Sequence, residues 1–236
     1  MKLDFSSDRV LAVVAHPDDA ELLCAGTLAR ARREGAPIGI CVMCKGDKGQ
    51  PARPIRNLAA VRRREMAASA RILGARLFCG TSPDGRLADS IPQRRFLVEV
   101  FRQFRPTLVL AHSPRDYHPD HRAASVLADA ASWYCASRGF RTRSSPLPAA
   151  PALWFMDTIA MVGFDPGIFV DVSPFLAIKA AMLAAHKSQL ARAGDTDFSP
   201  LSDLMRRQGE ARGMQAGVPS AEAFLPCHAF KRGRAW

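Results

Sequence analysis

The sequence predicts an α/β fold, Rossmann-like, with a mostly parallel sheet and helices on both faces. Three observations predict it. Short apolar runs alternate with longer amphipathic ones along most of the 236 residues, the order that a parallel sheet with crossover helices requires. Gly and Pro punctuate the boundaries between the runs. The hydrophobic share of 48% and the charged share of 23% are those of an ordinary globular chain, long enough to bury a core without disulfides or metal staples. One domain over residues 1–236 is expected.

Val10 to Ala15 reads as the first strand, an apolar run closed by Pro17. Ala20 to Glu34 follows as one amphipathic helix, with Gly35 as its C-cap. Ile38 to Cys44 is a second strand, and Gly46 to Pro54, polar and rich in Gly and Pro, is a loop at the same sheet edge and a candidate lid or substrate loop. Leu58 to Leu73 is a helix ended by Gly74, Arg76 to Cys79 a short strand, and Thr81 to Gly85 a turn. Ile91 to Phe104 is a helix with Pro92 in its first turn, and Thr107 to Ala111 a strand. Pro119 starts a helix to about Ser137, and the polar, Pro-rich stretch 138–150 is a loop. Ala152 to Asp157 and Gly167 to Val172 are further strands. Ser173 caps a helix from Pro174 to about Ala193, and Leu201 to Ala216 is the last helix before a loose basic tail at 231–234.

The net charge of +11 raises nucleic acid or an anionic membrane as partners. The basic residues are mostly Arg spread over the helices, with Arg62-Arg63-Arg64 the densest run, which is the pattern of solvated helix faces. No nucleic-acid partner and no stable membrane insertion are expected, and a homo-oligomer is compatible with the sequence. The N-terminus lacks a basic start followed by an apolar stretch and a small-residue cleavage site, so the cytoplasm is the expected location. In that setting the six cysteines read as free thiols, including the Cys41-x-x-Cys44 pair, whose members sit three apart on a strand.

Two clusters carry the chemistry. His16-Pro17-Asp18-Asp19 sits where the first strand hands over to a helix, the edge at which α/β sheets bind ligands. Asp116-Tyr117-His118-Pro119-Asp120-His121 repeats that logic after the strand ending at Ala111. Two loops leaving one edge can meet over it. His16 and Asp19 can chelate one ion together, and His118 or His121 can complete three protein ligands, the usual catalytic zinc arrangement. Asp18 is then spare to act as general base on a water, and Asp120 can hold the remaining His in one tautomer. His112, at the same strand end but outside the cluster, reads as a support for the site or as structural.

Ala15-His16-Pro17-Asp18-Asp19-Ala20-Glu21 followed by His118-Pro119-Asp120-His121 resembles the signature of the LmbE/PIG-L zinc-dependent de-N-acetylases. Arg64-Glu65 with Ile72-Leu73-Gly74, Asp84-Gly85, Val170 to Ser173, Lys179, Ala185 to Gln189 and Ala221 to Phe224 resemble later segments of the same family. Residues 138–150 match none of it. The resemblance implies that His16, Asp19 and His121 bind the metal and that Asp18 is the general base. It implies that His118 stabilises the oxyanion or serves as acid, oriented by Asp120, and that Arg64 binds substrate. The implied reaction releases acetate from an N-acetylglucosamine-type amino sugar, with zinc, or iron(II) or another divalent ion in its place. The same scaffold also hosts amidases of thiol conjugates and a hydratase. A nucleic-acid-binding protein would instead be retained on DNA in a salt-dependent way, and a structural metal site would unfold on chelation.

Overall fold

The computed structural model describes residues 3–195, 199–229 and 232. Seven strands form one sheet: β1 (Val10–Val14), β2 (Ile38–Cys44), β3 (Arg76–Ser82), β4 (Leu108–Ala111), β5 (Ala152–Met156), β6 (Ile168–Asp171) and β7 (Ala221–Pro226). Their order is β3-β2-β1-β4-β5-β7-β6. The first five pair in parallel, as expected, and β7 runs antiparallel between β5 and β6. The strand order reverses between β1 and β4, so the loops that follow these two strands open side by side at the switch point.

Successive residues of β1 feed opposite layers. Val10, Ala12 and Val14 pack into one core with Leu28, Met66 and Met182. Leu11, Val13 and Ala15 pack into the other with Phe101 and Leu127. The helices are α1 (Asp19–Leu23), α2 (Ala25–Arg33), α3 (Leu58–Leu73), α4 (Ile91–Phe104), α5 (Pro119–Tyr134), α6 (Leu176–Ala184), α7 (Lys187–Leu190) and α8 (Leu201–Ala216). Among them α4 and α5 cover the second core, and α2, α3 and α6 the first. All six cysteines are free. Among the described residues no helix is long and apolar enough to cross a membrane. The basic tail lies outside the described residues except for Arg232.

The single helix expected over 20–34 is broken at Cys24 into α1 and α2. The cause lies far along the chain. Glu222, buried on β7, accepts the Gly26 and Thr27 amides at 2.9 and 2.7 Å, capping α2 from outside. Lys179 of α6 holds Glu222 at 2.6 Å and donates to Leu22 O at 3.0 Å, at the end of α1. Gly26 must lack a side chain here, because a Cβ would meet Val172 Cβ at 2.6 Å. Glu222→Gln leaves the buried Lys179 ammonium without a counter-charge. It is expected to cost about 3–5 kcal/mol, read as a lowered urea midpoint.

The helix expected over 174–193 is also divided. A 3-10 turn at Ser173–Phe175 precedes α6, and the chain breaks again at His186 before α7 and the 3-10 turn Ala191–Gly194. Polar pairing decides this. The His186 ring meets Glu21 at 3.1 Å, and Ser188 donates its amide and hydroxyl to Glu65 at 2.8 and 2.6 Å. Ser173 does not cap with its side chain. Its hydroxyl donates to Asp171 at 2.6 Å. Buried Arg102 of α4 donates to the Thr142 hydroxyl and Ser144 O of the 138–150 loop and to the Tyr134, Cys135 and Ser137 carbonyls that precede it.

Candidate metal centre

A cavity of about 460 Å³ opens at the carboxyl edge of the sheet, over β1 and β4. Its floor is built from the two loops. Beyond β1 the chain turns sharply: Asp18 takes φ 103°, a left-handed conformation that side chains rarely adopt, and α1 begins at Asp19. Asp19 Oδ2 accepts the His16 amide at 2.7 Å, closing the turn. Beyond β4, Asp116 accepts the His118 amide at 2.9 Å, and His118 Nδ1 accepts the Asp120 amide at 3.1 Å, capping α5. That bond leaves the ring proton of neutral His118 on Nε2, a donor.

The loops converge. Asp19 Oδ2 lies 3.6 Å from His16 Nδ1, and Asp19 Oδ1 lies 3.4 Å from His121 Nε2. The ring nitrogens of His16, His118 and His121 lie within 4.8 Å of one another, as do the donor atoms of Asp19, His112 and His121. Each of the two outer rings is backed by a carboxylate: His16 Nε2 is 3.0 Å from Asp120 Oδ2, and His121 Nδ1 is 3.2 Å from Asp116 Oδ2. This corrects one expectation. The Asp120 side chain orients His16 and also accepts the Gly85 amide at 2.7 Å, and only its backbone N–H meets His118.

These residues fit a metal ion. Ligand atoms at 2.0–2.2 Å from one tetrahedral ion lie roughly 3.3–3.6 Å apart; Asp19 Oδ1 and His121 Nε2 keep that separation, and His16 Nδ1 lies 3.6 Å from the other oxygen of the same carboxylate. Imidazoles facing an ion with one nitrogen and a carboxylate with the other are the usual support of such ligands. The charges agree. Burial opposes protonation of His16 and His121, yet Asp120 and Asp19 push His16 up to about 10, and Asp19 and Asp116 push His121 up to about 9. The cluster therefore draws positive charge inward. Burial opposes ionisation of Asp19, but His121 and His112 hold its carboxyl well below the usual range.

Asp18 stands beside this group. Burial raises its carboxyl, against the pull of the Arg62 guanidinium, whose Nη2 donates to Asp18 Oδ2 at 2.8 Å and also bonds Pro17 O. Arg62 is buried and lines the cavity, whereas Arg64 lies on the exposed side of α3. The arginine that reaches the site is thus Arg62 and not Arg64. It lies one turn from Leu58 and one turn from Met66, on the stripe that packs inward.

The candidate lid loop does border the cavity, through Lys48 and Gly49. Asp84, from the turn after β3, accepts the Gly46 and Lys48 amides at 2.8 and 3.0 Å, and Gln189 donates to Gly49 O at 2.9 Å. Gln189 and Arg192 line the wall, residues that no spacing in the sequence connects to the two clusters. Tyr117, 65% exposed, stands at the mouth with its ring 6.0 Å from that of His118.

Known proteins share this arrangement of strands and loops. The family model described as GlcNAc-PI de-N-acetylase, PIG-L, matches residues 11–132. A diacetylchitobiose deacetylase of Thermococcus kodakarensis is 28% identical over 205 residues, covering 80% of this chain and 75% of that protein. The structure of an N,N'-diacetylchitobiose deacetylase from Pyrococcus horikoshii superposes with a TM-score of 0.83 at 25% identity, covering 94% of this chain and 85% of that one. A conserved protein from Thermus thermophilus superposes with a TM-score of 0.78 at 35% identity, over 97% of this chain and 100% of that one. Because the matched residues 11–132 exceed half the chain and hold both loops that meet over the sheet edge, the protein belongs to the PIG-L family of de-N-acetylases, which are amide hydrolases.

Proposed function

We propose that the protein is a zinc-dependent hydrolase that removes the acetyl group from an N-acetylglucosamine-type amino sugar in the cytoplasm. The observation that carries this is the placement of Asp18 beside the Asp19, His16 and His121 donor atoms in a cavity of about 460 Å³, a size suited to a small polar ligand. The diacetylchitobiose deacetylases named above support the substrate class. His16, Asp19 and His121 would hold the ion, which when bound supplies Lewis-acid charge to a water and to the acetamide carbonyl.

The chain's own residues do the rest. Asp18, its carboxyl raised by burial, accepts a proton from the water that attacks the amide carbon. His118, kept neutral by burial, donates Nε2–H to the oxyanion that develops on that carbon. The C–N bond then breaks, the amine leaves with the proton that Asp18 took from the water, and acetate is released. Asp120 keeps the His16 ring in place throughout.

The test is acetate release from a panel of N-acetylglucosamine derivatives, with metal-loaded and chelator-stripped protein. Acetate from the loaded protein alone is the expected result. Stoichiometric metal with no acetate from any derivative would overturn the deacetylase assignment. Within that assay Arg62→Ala is expected to lower kcat/KM about ten- to a hundredfold, since it removes a charged hydrogen bond to Asp18. Arg64→Ala, on the exposed side of α3, should stay within about twofold.

A further inference from the structure

We propose that His112 is a positioning residue that holds Asp19 Oδ2 from the end of β4 and so leaves Asp19 Oδ1 as the carboxylate's ligand atom. The inference rests on the metal-site reading above and deepens it. His112 follows β4, stands outside both His-Pro-Asp clusters and is wholly buried. Its Nε2 lies 3.0 Å from the Ala15 amide nitrogen and 3.1 Å from Asp19 Oδ2. The same oxygen accepts the His16 amide at 2.7 Å. Oδ2 is thereby enclosed by protein, while Oδ1 faces His121 Nε2 at 3.4 Å. The His112 ring also stacks on the His121 ring, with centroids 4.0 Å apart and planes 15° from parallel. One side chain therefore sets both the rotation of a carboxylate and the plane of the neighbouring imidazole.

The place of His112 in the sheet explains how it reaches so far. The β1–β4 ladder ends at Val13 and Ala111, and beyond it the imidazole stands where the Ala15 amide would otherwise seek its next partner. When Nε2 carries the proton it donates to Asp19. When it does not, it accepts from Ala15. In both states the ring fills the gap between Oδ2 and the sheet edge. Packing alone does not account for this residue. Its Nδ1 is buried with no hydrogen-bond partner, a cost that an apolar ring at the same place would not carry.

The test is zinc affinity of the purified full chain, measured by competition with a chromophoric chelator, together with the melting temperature of the metal-free protein. His112→Phe keeps a ring against His121 and removes Nε2. His112→Gln brings an amide to the reach of Nε2, and His112→Asn brings it only to the reach of Nδ1. The expected result is zinc binding about ten- to a hundredfold weaker in His112→Phe, a loss that does not scale with the metal-free melting temperature across the variants. His112→Gln should recover most of the affinity and His112→Asn should not. Wild-type affinity in His112→Phe overturns the inference and leaves the metal site standing. A loss that follows the metal-free melting temperature across the variants also overturns it, by assigning His112 to stability. If His112→Phe does not fold, the Gln and Asn variants decide by the same criterion. A wild-type chain that binds no zinc removes both this inference and the proposed function.

Discussion

Asp18→Asn is expected to lower kcat/KM for acetate release by about 10²–10⁴-fold, the usual worth of a positioned general base, while the protein keeps its metal. Asn is the informative substitution because of the backbone. Asp18 sits at φ 103°, and Asn tolerates the left-handed region better than most residues. The turn between β1 and α1 should therefore survive, along with Asp19 and His16 on either side of it. The amide also remains within reach of Arg62, whose Nη2 now meets the carboxylate at 2.8 Å. What disappears is the capacity to accept a proton. Metal content measured beside the kinetics separates the two roles: full metal with lost turnover supports the base, and full metal with wild-type turnover removes Asp18 from the chemistry. Asp18→Gly sets that strain against the Arg62 charge. Glycine adopts φ 103° at no steric cost, but it leaves the buried Arg62 guanidinium without its carboxylate, so this variant should melt below the wild type while losing the same activity.

Much of the site was legible because its parts sit at strand ends. A His-Pro step after an apolar run fixes where the chain leaves the sheet, and parallel order brings two such steps to one edge. That placement joins His16 and Asp19 with His118 or His121, and the choice of His121 came from the family resemblance. The arginine shows a signal that was present and missed. Leu58, Arg62 and Met66 recur every four residues on the buried stripe of α3, so helical phase alone favoured Arg62 over Arg64. The partner of Asp120 shows a signal that was absent. Its bond to His16 joins residues 104 apart, and nothing local to either residue prefers that pairing to the nearer His118. The break at Cys24 is of the same kind. Gly26 lies two residues past the break but inside α2, and the groups that end α1 and begin α2 come from Lys179 and Glu222. Strand β7 escaped notice because Ala-Glu-Ala-Phe-Leu-Pro has no β-branched residue and buries a carboxylate where a strand usually buries an apolar group.

The second large effect is expected from His16→Ala, which should lose the metal and, with it, essentially all turnover. His16 holds a central place: its Nδ1 faces Asp19 and its Nε2 is engaged by Asp120. Removing the ring leaves two buried carboxylates, Asp19 and Asp120, facing a volume that water can fill, and takes from the donor set the imidazole that both of them engage. The clearest readout is the stabilisation expected when zinc binds the folded chain. At free zinc a thousandfold above its dissociation constant, binding to the native state alone adds about 4 kcal/mol, which for a chain of this length raises the melting temperature by roughly 10 °C. The wild type should show that rise and His16→Ala should show none at the same zinc concentration. Asp120→Asn should fall between them. It keeps the ring and weakens only its support, a change that usually lowers metal affinity about ten- to a hundredfold, so its melting temperature should approach that of the wild type as zinc is increased. Equal zinc-dependent rises in all three proteins would place the ion elsewhere. A rise lost in His16→Ala but untouched in Asp120→Asn would keep the ligand and remove the carboxylate behind it from metal binding.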